Sequence, residues 1–462
     1  LRGRALRSRL SCVGASQWLA LPRCKIDSSM MRRFYAAIVI SFLLLTLSSL
    51  SSGYSVLSHE EVVDLLWKDQ IQPLLLKRYP HASPEQLRQA HAFAYGGCVI
   101  QDMGYYPFGN KYFSDLVHYV RSGDFVEALL HDASDRNEYA FALGALAHYA
   151  SDISGHPTIN RVVAIEFPKL RKKYGDEVTY EDDPKAHIRT EFGFDMEQVA
   201  KNRYTSDRYH DFIGFEVAKL LLERAFLDTY DVKLDDMFGD PDLAIGSYRR
   251  SVSVWIPAMT RIALLSERKE LVKDTPSFDK KKFLYYLSRK QYEHDWGTKY
   301  RRPGVGTRIL AFLLRILPKV GPLSATKFEI PTQQTEDLYI KSINLTVENY
   351  SALLRQVGGA SFDFPDRDLD TGNDTNAGEY HLADSTYARM VDDLSKKAVG
   401  PVSVALRKSV LDFYADPKGA VATQKKKKKW EKLQRELSEL RAGALAPQPA
   451  SDAKASASPA AQ

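Results

Sequence analysis

Hydrophobic residues recur at a period near 3.6 along most of the chain after residue 54, which is the spacing of one buried face on an α-helix. The segment SHEEVVDLLWKD begins with a capping box, Ser58 to Glu61. A second helix start is predicted at Ser83, with Pro84 at the first helical position and Gln86 at the third. Alternating β-branched patterns, which are typical of strands, are nearly absent. The pattern therefore predicts an all-α fold, a bundle of amphipathic helices.

The first 53 residues differ from this pattern. From residue 30 the chain has two arginines, a mostly apolar run over residues 34–47 and a small-residue stretch that ends at Gly53. The apolar run is too short to span a bilayer comfortably, and this arrangement is typical of a cleaved secretory signal at residues 30–53. Cleavage would make Tyr54 the mature N-terminus, and the protein would be exported, to the periplasm or the medium. Residues 1–29 are predicted to be an over-extended N-terminus outside the fold.

Changes of composition divide the remainder of the chain into three parts. We predict a helical domain at residues 54–355, a turn-rich C-terminal extension at residues 356–416, and a basic, Ala/Pro/Ser-rich tail at residues 417–462 that is largely disordered.

The extension contains Asp368, Asp370 and Asp374, which faintly resemble a calcium loop. The acidic residues and glycine do not have hand-loop spacing, so an ordinary turn is favoured over a calcium site.

A run from Thr307, TRILAFLLRILPKVGPL, is apolar with basic residues in and around it. It could lie in a membrane interface or form a core helix whose arginines extend to solvent. The core helix is the favoured alternative.

Net charge and cysteine content narrow the class of protein. Residues 1–53 carry a net charge of +7 and residues 417–462 carry +6, so residues 54–416 are acidic at −7. An acidic body disfavours a nucleic-acid partner, since such a partner needs a basic surface. Only Cys98 remains after residue 54, which excludes a disulfide within the mature chain.

A candidate metal site lies in LGALAHYASDISGHP, where His148, Asp152 and His156 have an even spacing of four. Positions i and i+4 share a helix face, so His148 and Asp152 can bind one metal or two adjacent metals. Gly155 and Pro157 predict that the helix ends there, which would let His156 turn back toward the same cluster. Alone, this pattern also suits histidines in a core.

A second pair with the same geometry, His187 and Glu191, makes a metal site the better interpretation. Two such pairs on neighbouring helices could enclose a multinuclear site from facing sides. His91 could support the site from outside it, although a plain structural role is favoured.

With these residues in place, the chain resembles the zinc-dependent phospholipase C family and the N-terminal domain of glycosylphosphatidylinositol-specific phospholipase D. The resemblance runs from Tyr54 to Glu191 and implies an all-α, phospholipase C or zinc nuclease-like bundle around three zinc ions. It implies that the ligands are supplied, in chain order, by Tyr54, His59, Asp102, His118, His148, Asp152, His156, His187 and Glu191.

The resemblance also implies how the zinc ions are shared. One would be held by Asp102, His118, His148 and Asp152. A second would take His156, His187 and Glu191, and a third would take the Tyr54 amine and carbonyl and His59, with Asp152 as a bridge. Asp102 is the candidate catalytic residue, which would orient or deprotonate the attacking water.

The implied function is an exported phosphodiesterase that cleaves head groups from glycerophospholipids at a membrane surface. Three alternatives stay open. The Asp152–His156 spacing of four is that of the phospholipase D pattern, so D-type cleavage is one. The others are a single-strand nuclease or nucleotidase on the same scaffold, disfavoured by the acidic body and Glu191, and a non-catalytic, metal-stabilised binding protein.

The proposed terminal ligand makes a prediction about processing. If the signal is removed as expected, N-terminal sequencing of the secreted protein should begin at Tyr54, because only then is its amine available to a metal. A mature protein that begins elsewhere would require a different third zinc site.

Overall fold

The computed structural model describes residues 55–200, 214–256, 328–359, 361–396, 402–416 and 427–442. They belong to one compact unit, Thr46–Gln462. These ranges contain helices and one isolated bridge, between Arg367 and Asp374, which confirms the all-α prediction for this part of the chain. The predicted export signal, Tyr54 and the run from Thr307 lie outside the described residues. Within those ranges, no helix has both the length and the apolar character needed to cross a bilayer.

Fifteen α-helices are present in the described ranges, numbered here in chain order. They are α1 Val56–Leu66, α2 Gln72–Arg78, α3 Pro84–Gly97, α4 Lys111–Tyr119, α5 Ser122–Asp132, α6 Arg136–Glu166, α7 Pro168–Tyr174, α8 Pro184–Ala200, α9 Lys219–Tyr230, α10 Leu234–Phe238, α11 Pro241–Arg250, α12 Gln333–Val357, α13 His381–Lys396, α14 Val404–Phe413 and α15 Lys427–Ala442. Two single π-helical turns, Trp67–Ile71 and Ser251–Trp255, and a 3₁₀ helix, Ile100–Tyr105, complete the described helical structure.

The 31-residue helix α6 is the centre of the fold and is buried on nearly every face. It packs most extensively against α3 and α12, and also against α1, α5 and α8. A helix surrounded in this way has little solvent-exposed face, which is why its hydrophobic pattern is not amphipathic. The buried polar residues on α6 must therefore be satisfied inside the protein.

Helices α3 and α6 approach closely through a reciprocal pair of glycines. A Cβ on Gly97 would come within 2.0 Å of the Phe141 carbonyl oxygen, and a Cβ on Gly144 would come within 2.0 Å of the Ala94 carbonyl oxygen. At each glycine, the absence of a Cβ thus leaves room for the backbone of the opposite helix. This contact sets the distance between the helices that carry His91 and His148.

The predicted end of α6 near His156 is wrong, because the helix continues through Pro157 to Glu166. The proline ring cannot bond to the Ile153 carbonyl, as a helical N–H would. The extension packs at this point: a Cβ on Gly372, whose φ is +72°, would lie 2.4 Å from the Ile153 oxygen. The helix therefore continues past the one missing hydrogen bond, where the extension packs against it. His156 remains on the same stripe as His148 and Asp152.

The helix starts were predicted with unequal success. The Ser83 capping box is confirmed, since Ser83 Oγ accepts from the Gln86 N–H at 3.2 Å and the Ser83 N–H donates to Gln86 Oε1 at 2.9 Å. Helix α1 instead begins at Val56, two residues before Ser58. Ser58 Oγ donates to Asp195 Oδ1 at 3.0 Å, so its hydroxyl serves a contact with α8 and not a cap.

The Gly144 contact can be tested by substitution. Gly144→Ala should lower the free energy of unfolding by about 1–3 kcal/mol, because the new methyl group would overlap the Ala94 carbonyl. Denaturant unfolding in excess chelator measures this without a contribution from metal.

Gly246→Ala is the matched control, since a Cβ at this helical glycine meets nothing within 4 Å. It should be neutral or stabilising by about 0.5–1 kcal/mol. Equal stability of the wild-type and Gly144→Ala proteins would contradict the described helix contact.

Candidate metal centre

The predicted ligands that the structure describes come from five elements and converge in the core. His59 lies on α1, Asp102 on the 3₁₀ helix, and His118 on α4, whereas α6 and α8 carry the remainder. No one of them is more than 3% exposed, the set being His59, Asp102, His118, His148, Asp152, His156, His187 and Glu191. So many buried ionisable groups need pairing or a metal ion.

The Asp152 carboxylate is the point on which three imidazoles converge. Its oxygens lie 3.0 Å from His148 Nε2, 3.5 Å from His118 Nε2 and 3.6 Å from His59 Nε2. The His59 and His148 rings stack at 4.3 Å between centroids. One carboxylate facing several Nε2 atoms is the arrangement expected of a ligand shared between metal ions.

Backbone carbonyls determine which nitrogen of three histidines faces the cluster. His118 Nδ1 donates to the Ser114 oxygen at 2.8 Å, and His148 Nδ1 donates to the Cys98 oxygen at 3.0 Å. His156 Nδ1 donates to the Leu369 oxygen at 2.5 Å. Because a carbonyl only accepts, Nδ1 carries the proton when the ring is neutral, and Nε2 presents its lone pair.

The electrostatics of the metal-free cluster reflect these contacts. Burial opposes the charged form of His118, but the adjacent Asp102 carboxylate outweighs it and raises the pKa of His118 to about 9. Burial likewise opposes ionisation of Asp152, yet His148 and His156 keep the pKa of this carboxyl below its ordinary value. A metal cation supplies the same positive charge without the added protons.

Two groups of donor atoms within the described residues are close enough to hold metal. In each, the atoms lie within 4.8 Å of one another, and the groups are His59, His148 and Asp152, and Asp102, His118 and His148. Imidazole nitrogens and carboxylate oxygens are the donors that zinc takes in catalytic sites. The donor set therefore fits zinc, and His148 belongs to both groups.

His187 and Glu191 lie beside this cluster but contact each other first. His187 Nδ1 and Glu191 Oε1 are 2.6 Å apart, and His187 Nε2 is 2.7 Å from Asn160 Oδ1. Burial lowers the pKa of His187 to about 4 and raises that of Glu191 well above its ordinary value. The His156 and His187 rings are 5.6 Å apart, and the second zinc site that they would form stays a prediction.

The other histidines in the described ranges serve other purposes. His91 Nε2 lies 2.8 Å from Asp64 Oδ1, and its ring stacks on Trp67 at 3.7 Å, which supports the structural role. His131 stacks on Phe362. The exposed His81 and His381 lie on the surface, and His210 and His294 lie outside the described residues.

The contacts of Asn160, Leu369 and Asp370 with predicted ligands were not predicted from the sequence. Asn160 continues the stripe on α6 at the same spacing of four after His156, a signal that was present in the sequence. Leu369 and Asp370 belong to the extension, and Asp370 Oδ1 lies 3.5 Å from His156 Nδ1. Nothing in the order of residues indicated that the extension returns to α6.

Comparison with known proteins agrees with this geometry. Residues 58–235 match the family model described as zinc dependent phospholipase C. No curated protein and no solved structure matches the chain. The predicted resemblance is confirmed over that segment, and the match supports a zinc-dependent phospholipase C-type hydrolase. The segment includes all the predicted ligands except Tyr54.

Because His148 belongs to both donor groups, it should be the most sensitive position for metal binding. His148→Ala should reduce bound zinc, measured by elemental analysis, and lower hydrolysis by about 100-fold or more, beyond the usual effect of residues that only support ligands.

The exposed His131 offers a matched control, and His131→Ala should retain zinc and activity. Wild-type zinc content in His148→Ala would show that this histidine is a core residue only.

Proposed function

Since residues 58–235 carry a zinc-dependent phospholipase C domain, we propose that the chain is an exported hydrolase of glycerophospholipid head groups at a membrane surface. The observation that carries this proposal is the approach of three imidazole nitrogens to the buried Asp152 carboxylate within the matched segment. The apolar run before Tyr54, with its preceding arginines, supports export.

A phosphodiester is a suitable substrate for this donor set. Zinc, when bound, supplies positive charge that stabilises the charge developing on phosphate oxygens and lowers the pKa of a nearby water. His118 and His148, each oriented by a backbone carbonyl, would present fixed Nε2 atoms to the metal. Asp152, held between them, would be shared by two of three proposed zinc ions.

Asp102 is proposed to take the proton of the attacking water. It lies on a short 3₁₀ helix, and its Oδ1 is 3.5 Å from His118 Nε2. This helix directly precedes the loop to α4, so Asp102 and His118 are brought together by a short connection. A carboxylate at the edge of the donor group can accept a proton while the histidines remain ligands.

The bond that is cut is proposed to be the one on the diacylglycerol side of the phosphate. This follows the family of the matched segment. D-type cleavage is the second candidate, because the Asp152–His156 spacing of four is the spacing of the phospholipase D pattern.

Two other functions are less well supported. A nuclease needs a basic surface to bind its substrate, whereas residues 54–416 carry a net charge of −7. A non-catalytic, metal-stabilised binding protein would leave the matched hydrolase segment without a reaction. Neither has an observation that favours it here.

Product analysis tests the proposal and the choice of bond. The zinc-loaded protein on phosphatidylcholine or phosphatidylinositol vesicles should release diacylglycerol and a phosphorylated head group. Phosphatidic acid with a free head group would indicate D-type cleavage, and hydrolysis of single-stranded DNA alone would indicate a nuclease.

Asp102→Asn is the diagnostic variant in the same assay. Loss of a general base should lower turnover by about 10²–10⁴-fold, with a much smaller effect on thermal stability. Turnover and stability that fall together only mildly would argue against the catalytic role.

A further inference from the structure

One dipeptide of the C-terminal extension, Leu369–Asp370, packs against the candidate metal centre. The Leu369 N–H donates to the His118 carbonyl oxygen at 3.1 Å, and the Leu369 carbonyl accepts from His156 Nδ1 at 2.5 Å. Leu369 is fully buried, and Asp370 is 4% exposed. The extension therefore contacts two predicted ligands that lie on different helices.

The Asp370 side chain is held at this position by two phenols. Its Oδ2 accepts from Tyr119 Oη at 2.8 Å and from Tyr380 Oη at 2.6 Å, and Tyr119 directly follows His118. Its Oδ1 lies 3.5 Å from His156 Nδ1. A buried carboxylate that accepts from both hydroxyls is satisfied in a single orientation, beside the Nδ1 edge of His156.

The backbone of Asp370 extends the network to the third histidine. Its carbonyl oxygen accepts from Asn160 Nδ2 at 3.0 Å, and Asn160 Oδ1 is 2.7 Å from His187 Nε2. The dipeptide thus contacts His118 and His156 directly, and it is linked to His187 through Asn160. A carbonyl and a carboxylate on the Nδ1 side of an imidazole favour the tautomer whose Nε2 binds metal, and they fix the orientation of the ring.

The extension has other anchors that do not depend on Asp370. The Arg367 N–H donates to Ser122 Oγ at 2.9 Å, and Ser122 Oγ donates to the Arg367 carbonyl at 2.6 Å. Asp366 Oδ1 accepts from the N–H groups of Gly123 and Asp124 at the start of α5. These contacts should keep the extension in place when the charge of Asp370 is removed.

We propose that Asp370 is a positioning residue of the zinc centre, which orients His156 through the Leu369 carbonyl and its own carboxylate. The residue lies beyond the segment 58–235 that matches the family, so this would be a contribution of the extension to the catalytic domain. The proposal rests on the proposed function, because it requires that the cluster binds zinc.

Zinc affinity and the spectrum of the cobalt-substituted protein are the decisive measurements. Asp370→Asn, in the full chain, should bind zinc about 10–100-fold more weakly in competition with a chelator. Its cobalt derivative should show a changed visible absorption spectrum, whereas a loss of stability alone would leave this spectrum unchanged. Thermal unfolding of the metal-free variant should remain near that of the wild type.

Two control variants separate positioning from general effects. Asp374→Asn removes a carboxylate that is 70% exposed in the same segment, and it should leave zinc affinity unchanged. Tyr350→Phe removes a buried hydrogen bond to the Leu143 carbonyl, so it should lower stability without changing the cobalt spectrum.

The outcomes distinguish this proposal from the function on which it rests. Wild-type zinc affinity and an unchanged cobalt spectrum in Asp370→Asn would overturn the positioning role while the hydrolase remains intact. A wild-type protein that binds zinc but hydrolyses no phospholipid would refute the function only. If Asp370→Asn does not fold, Tyr380→Phe replaces it: a several-fold loss of zinc affinity supports the role, and no loss overturns it.

Discussion

The carboxylate of Asp152 lies at the centre of the helix around which the core is built, and the surrounding structure has to compensate its charge. Burial of an unpaired carboxylate costs several kcal/mol, so side chains that surround Asp152 must supply positive charge or allow a cation to do so. His59, His118 and His148 approach it with their Nε2 atoms. Without metal, neighbouring carboxylates outweigh burial and raise the pKa of His118 and His148, whereas burial and the neighbouring His148 lower the pKa of His59. Bound zinc ions would let all three act as neutral ligands.

The composition of α6 makes this burial possible. On one stripe it carries His148, Asp152 and His156, and its other faces are rich in alanine, glycine and aliphatic residues. Small residues allow α3 to approach until carbonyl groups fill the space where a Cβ would lie, as at Gly144. The same close packing brings the Cys98 carbonyl within 3.0 Å of His148 Nδ1. Helix packing and orientation of the ligand are therefore one arrangement.

The C-terminal extension adds a second set of contacts to the histidine cluster. Leu369, whose carbonyl accepts from the His156 ring, is 213 positions from His156 along the chain. A contact of this separation has a large cost in chain entropy, which the buried Phe364 and Leu369 side chains and the anchors on α5 offset. The extension thus belongs to the compact body of the described chain, and its acidic residues have distinct partners. Asp366 caps α5, whereas Asp370 accepts from two tyrosines beside the histidine cluster.

Helical periodicity, capping residues and the order of histidines and carboxylates were sufficient to predict an all-α protein and the family of its matched segment, because these signals are local. A spacing of four places two ligands on one face wherever the helix lies. The continuation of α6 through Pro157 and the return of Asp370 to His156 could not be predicted in this way. They depend on which segments pack together in space, and such contacts leave no periodic pattern in the order of residues.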